Sequence, residues 1–78
     1  MNAPVPIQET AGTDYVDPYR QLWVEARAAA IGQVRLLRRI VVLAPPEAAP
    51  FHRQLIASNT ATVRAIEGHL RMTPWDGA

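Results

Sequence analysis

The stretch LAPPEAAPF, residues 43–51, sets three prolines between two long segments of apolar periodicity. Proline lacks a backbone donor and disfavours helical geometry at the residue before it, so a helix that arrives from the N-terminal side stops at Leu43 or Ala44. Pro50 suits the first positions of a second helix. A short proline turn between two long helices predicts an antiparallel α-helical hairpin, an all-α fold.

Capping residues mark the outer ends of this hairpin. The carboxylate of Asp17 suits the amides of an opening helical turn, and Pro18 suits the first helical position. Thr73 and Pro74 end the second helix, because proline disfavours helix at the residue before it. The predicted units are an extended N-terminal arm over 1–17, a hairpin over 18–73 (helix 18–43, proline turn 44–49, helix about 50–72) and a C-terminal tail over 74–78.

Length and composition indicate that the hairpin needs a protein partner to be stable. The chain has 78 residues and no cysteine, so neither a disulfide nor a thiolate metal site can support it. A lone core of this size supplies only about 3–5 kcal/mol. We therefore expect a protein partner, or a second copy of the chain, to complete the fold.

Arginines interrupt the apolar first helix well short of the length that a membrane span requires. The N-terminal residues also lack the basic start and apolar core of a signal peptide. The sequence thus predicts a cytoplasmic protein, or a component of a particle assembled in the cytoplasm, with no membrane span.

Projection at about 100° per residue gives each helix one apolar stripe for the seam between them. On the first helix the stripe comprises Tyr19, Leu22, Trp23, Ala26, Ala30, Val34, Leu37, Ile40 and Val41, and on the second Leu55, Ile56, Val63, Ile66 and Leu70. The stripes align when the numbers of facing residues sum to about 92. This register predicts an amide pair between Gln33 and Asn59.

Further apolar residues lie outside that seam and predict contact surfaces for another protein. Two strips are involved: Val24, Ile31 and Val42 on the first helix, and Ala57, Ala61, Ala65 and Gly68 on the second. Small residues at i, i+4 spacing let another helix approach closely, although scattered exposed apolar residues are also normal.

Aromatic residues cluster at the open end of the predicted hairpin. Tyr19 and Trp23 lie near the start of the first helix, and Trp75 follows the second. We expect Trp75 to cover this end beside Trp23 and Leu70. Tryptophan and tyrosine also anchor many protein interfaces, so all three join the predicted contact residues.

The first helix is basic. It carries five arginines against one glutamate, whereas residues 1–17 carry three carboxylates and no basic residue. An arginine face can bind nucleic-acid phosphates, pair with the acidic arm or simply be solvated. The candidate nucleic-acid contacts are Arg20, Arg27, Arg35, Arg38 and Arg39.

No catalytic, metal-binding or cofactor-binding residues emerge from the sequence. His52 and His69 lie about 25 Å apart along one helix and cannot share a metal or a proton. No paired carboxylates and no glycine-rich phosphate loop are present. The sequence predicts a non-enzymatic accessory or structural subunit of a multi-protein assembly, such as a virion or a multi-subunit complex. The alternative is an arginine-rich dimeric regulator that binds nucleic acid.

Overall fold

The computed structural model describes residues 17–78, which form two α-helices joined by a short turn. Helix α1 spans Pro18–Leu43, a 3₁₀ turn spans Pro46–Ala48 and helix α2 spans Ala49–Leu70. The helices pack against each other along their lengths. The predicted all-α hairpin is confirmed. The predicted arm, apart from Asp17, lies outside the described residues.

Helix α1 has the bounds that its caps predict. Asp17 Oδ1 accepts the backbone N–H of Tyr19 at 3.0 Å, and Pro18 opens the helix. At the other end Ala44 is extended, with ψ of 151°, because Pro45 follows it. Local chemistry alone is enough to set both ends.

Helix α2 ends in a chain reversal. Arg71 adopts the left-handed conformation, with φ of 55°. The N–H of Met72 donates to the carbonyl of Glu67 at 2.9 Å and that of Arg71 to Gly68 at 3.4 Å, the pair of bonds of a Schellman motif. The helix therefore stops at Leu70, two residues earlier than expected, and the tail turns back along the hairpin.

The returning tail inserts Trp75 halfway along the hairpin. Its side chain is 8% exposed and packs with Ala30, Ile31, Val34 and Val63. The prediction that Trp75 covers the open end beside Trp23 is wrong, because the reversal at residue 71 carries the indole past that end.

The core of residues 17–78 is small. Its buried apolar members are Ala30, Ile31, Val34, Leu37, Val63, Ile66, Leu70 and Trp75. Ile31, predicted on an exposed strip, is only 7% exposed, so that placement is wrong. Conversely, the predicted seam residues Tyr19, Leu22, Ile40 and Val41 are exposed. The buried side of α1 is thus turned toward the tail.

The register is close to the predicted one, but its polar pair is absent. The contacts Tyr19–His69 and Arg27–Glu67 join residues whose numbers sum to about 90. Gln33 is exposed. Asn59 Nδ2 donates to the carbonyl of Leu55 at 2.9 Å, one turn back in its own helix. The predicted Gln33–Asn59 pair is wrong.

Neither helix in residues 17–78 combines the length and the apolar character that crossing a bilayer requires.

Candidate functional site

An exposed apolar stripe runs the whole length of α1. Its large members include Leu22, 66% exposed, and Leu43, 88% exposed. We call it the open stripe; its residues, all exposed, are Tyr19, Leu22, Ala26, Ala29, Gln33, Leu36, Ile40 and Leu43.

The spacing of the open stripe is that of a helix-packing seam. Successive members are separated alternately by three and four residues, as are the a and d positions of a coiled-coil heptad. Seven of the eight are apolar or aromatic, with Gln33 the exception. In the part of the chain that the structure describes, no helix covers this seam.

Two sides of α1 are covered, one by α2 and one by the tail, whereas the open stripe is not covered by residues 17–78. Ala30, Val34 and Leu37 point toward α2, whereas Arg27 and Ile31 lie on the side of the tail. At about 100° per residue, the centre of the open stripe lies roughly a quarter turn from the α2 side, away from the tail. The tail therefore leaves this side of the hairpin uncovered.

Aromatic residues extend the exposed apolar surface onto α2. Tyr19 Oη lies 2.8 Å from His69 Nε2, and the ring of Trp23 meets the imidazole edge-on at 6.0 Å between centroids. With Ala65 and Ile66, these three line a shallow depression of about 220 Å³. The predicted contact residues Tyr19 and Trp23 are thus exposed together at the open end.

A second apolar depression lies near the turn. It measures about 430 Å³ and is lined by Leu36, Arg39, Ile40, Val42 and Leu43. Val42, one of the predicted contact residues, is 80% exposed here.

The remaining predicted contact residues are scattered. Val24 is half-buried on α1. The strip of Ala57, Ala61, Ala65 and Gly68 is exposed on α2 as expected. Ile31 and Trp75 are buried within the hairpin and offer little surface to another protein.

A buried carboxylate joins both helices to the tail. Glu67, 3% exposed, lies 2.8 Å from the Arg27 guanidinium and 2.9 Å from that of Arg64. It also accepts the backbone N–H of Trp75 at 2.7 Å. We call these four residues the Glu67 network.

The Glu67 network keeps its carboxylate charged. Burial alone would raise the pKa of Glu67, but the hydrogen bond from Trp75 and the charged groups of Arg64 and Arg27 outweigh it. Together they lower the pKa from 4.5 to about 2. The sequence patterns did not predict this site, although Glu67 is the one acidic residue of α2 and lies among apolar neighbours three residues after Arg64.

Three of the five candidate nucleic-acid arginines bind within the hairpin. Arg20 Nη1 donates to the Leu70 carbonyl at 3.1 Å, and Arg27 binds Glu67. Arg38 donates to the Ala78 carbonyl at 3.3 Å and lies 5.6 Å from the centre of the Trp75 ring. Within residues 17–78, Arg35 and Arg39 have no side-chain hydrogen bond or ion pair.

No metal site is formed by residues 17–78, where no three histidine or acidic side chains come together. Comparisons of the chain with known protein families, with curated proteins and with solved structures found no match.

Proposed function

We propose that this chain is a non-enzymatic helical accessory or structural subunit, which packs into a multi-protein assembly through the open stripe of α1. Such an assembly is a virion or a multi-subunit complex formed in the cytoplasm. The observation that carries the proposal is a complete heptad stripe of exposed side chains, which lies beside the α2-facing side of α1 and away from the tail.

The energetics of a small core support this proposal. Exposed apolar residues are normal when they are scattered, but a contiguous stripe of large ones is typical of an interaction site. Leu22, Leu36, Ile40 and Leu43 leave apolar area in water that a packed helix would remove. A chain of this length has little other stability to draw on.

The arginines favour the packing subunit over the nucleic-acid regulator. Arg20 and Arg27 donate to residues of α2 and Arg38 donates to the tail, so binding a phosphate would compete with contacts inside the fold. Arg35 and Arg39 remain, and two charges give only weak phosphate binding. A titration of the full chain with duplex DNA and single-stranded RNA at low salt should therefore show no tight binding. Affinity that collapses steeply toward moderate salt would favour the regulator instead.

Site-specific photo-crosslinking in cells tests the packing surface. A photoreactive phenylalanine analogue in place of Leu36 lies on the open stripe, and the same analogue in place of Ala28, exposed on another side of α1, is the matched control. We expect a protein adduct of one defined mass from position 36 and none from position 28.

Specificity is checked by adding Ile40→Glu to the position 36 probe. A charge beside the probe should abolish the adduct, because burying an unpaired carboxylate is costly. Absence of any protein adduct at position 36, or equal labelling at positions 28 and 36, would refute the proposal.

A further inference from the structure

We infer that the occupant of the open stripe is a second copy of this chain, with its α1 running antiparallel to the first about a twofold axis near Ile31 and Gly32. This inference rests on the proposed function and names the partner. Its support is the residue order of the stripe, the charges beside it and a glycine next to the axis.

The open stripe is complementary to itself when reversed. About an axis between Ala29 and Gln33, each a position of one helix faces a d position of the other, as in antiparallel coiled coils. Four layers result, each occurring twice: Tyr19 with Leu43, Leu22 with Ile40, Ala26 with Leu36, and Ala29 with Gln33. Large residues thus meet at the outer layers, and alanines let the helices approach near the axis.

The charges beside the stripe match the same arrangement. Glu25 and Arg39 flank the seam on its outer side, and the antiparallel register brings Glu25 of one copy beside Arg39 of the other, twice per dimer. Within residues 17–78, the Glu25 carboxylate has only Gln21 as a partner, at 3.3 Å, and Arg39 has none. A parallel dimer would instead place Glu25 beside Ala30 and form no charge pair. Charge complementarity therefore favours the antiparallel copy.

Gly32 also fits the twofold axis. Glycine in the middle of a helix lowers its stability, and a methyl group at position 32 would meet no atom within 4 Å in the hairpin. Packing within residues 17–78 thus gives no reason for the glycine. In the antiparallel dimer Gly32 faces Gly32 of the second copy across the axis, where a missing side chain allows close contact.

Sedimentation equilibrium of the full chain measures this association. We expect the wild type to approach twice its 8.6 kDa mass as concentration rises. Glu25→Arg and Arg39→Glu should each weaken dimerisation roughly tenfold, because two opposite-charge pairs become like-charge pairs. The double variant Glu25→Arg, Arg39→Glu should recover the wild-type dissociation constant. Arg35→Glu, the same charge change on another side of α1, should leave it unchanged.

Cysteine pairing tests the orientation, because the chain has no native cysteine. Leu22 and Ile40 are both exposed, so each can be replaced by cysteine. Circular dichroism checks that the variants Leu22→Cys and Ile40→Cys still fold. Mixed and oxidised, the two variants should form a linked pair, whereas each alone should remain unlinked. Leu22→Cys linking to itself would indicate a parallel dimer and overturn the inference.

The failures of the two proposals are distinguishable. A wild type that stays monomeric at millimolar concentration, or a dimer unaffected by both charge reversals, overturns the second copy as occupant. The crosslink from position 36 then reports separately on the packing surface. An adduct with a different protein retains the proposed function, whereas no adduct removes both.

Discussion

The carboxylate of Glu67 accepts the backbone N–H of Trp75 at 2.7 Å, so the residue that pairs with Arg27 of α1 also holds the tail. This one side chain joins α1, α2 and the tail. It fixes the indole of Trp75 on one side of the hairpin and thereby decides which side of α1 stays open.

Trp75 should contribute more to stability than any exposed aromatic residue. Trp75→Ala removes the largest buried side chain and should lower the free energy of unfolding by about 3–5 kcal/mol, enough to unfold much of a chain this small. Trp23→Ala is the matched control, since Trp23 is 38% exposed and Trp75 only 8%. Urea titration followed by circular dichroism at low concentration measures both. Equal losses would contradict the position of the tail.

The adjacent residues Leu36 and Leu37 separate the open stripe from the core. Leu37 is 4% exposed and Leu36 is 44% exposed. We expect Leu37→Ala to lower the free energy of unfolding of the single hairpin by about 2–5 kcal/mol. Leu36→Ala should cost less than about 1 kcal/mol. Denaturation of dilute samples measures the difference, and the reverse order would mean that α1 faces α2 with its other side.

Acid should weaken the hairpin through Glu67. Its pKa is lowered in the folded state from 4.5 to about 2, so its contribution to stability is present above pH 4.5 and is lost as the pH falls toward 2. Melting temperatures measured down that range should fall in the wild type. Glu67→Gln should melt lower at neutral pH and show a flatter profile, whereas Glu25→Gln should keep the wild-type slope. A wild-type profile as flat as that of Glu67→Gln would contradict the network.

A glycine at position 71 should stabilise the fold. Arg71 occupies the left-handed region that glycine adopts without strain. Arg71→Gly should therefore raise the free energy of unfolding by about 1 kcal/mol. Arg71→Ala removes the same side chain without relieving the backbone and should give no gain. Thermal melts of the two variants test this conformation, and an equal gain would show that the side chain is responsible.

The sequence was sufficient where the determinants are local. Asp17, Pro18 and Pro45 act on the turns beside them, so the bounds of α1 and the position of the turn could be predicted from short-range chemistry. The antiparallel register followed from the short connection.

Which side of α1 is buried could not be predicted from short-range chemistry. Apolar residues occupy more than half of its circumference, and the choice among them depends on Trp75, which returns from the far end of the chain. Ile31 is buried and Leu22 exposed for that reason. The amide of Asn59 likewise bonds to its own helix and does not form the pair with Gln33 that the register of the stripes predicted. Long-range contacts therefore decided the candidate surface.

The dependence of the melting temperature on protein concentration tests the packing claim most directly. Association through the open stripe stabilises the folded state by mass action. The wild type should melt several degrees higher when its concentration is raised a hundredfold, whereas the variant Leu36→Glu, Ile40→Glu should melt at one temperature throughout. A wild-type melting temperature that does not change with concentration, together with a monomeric mass, would contradict packing through a second copy.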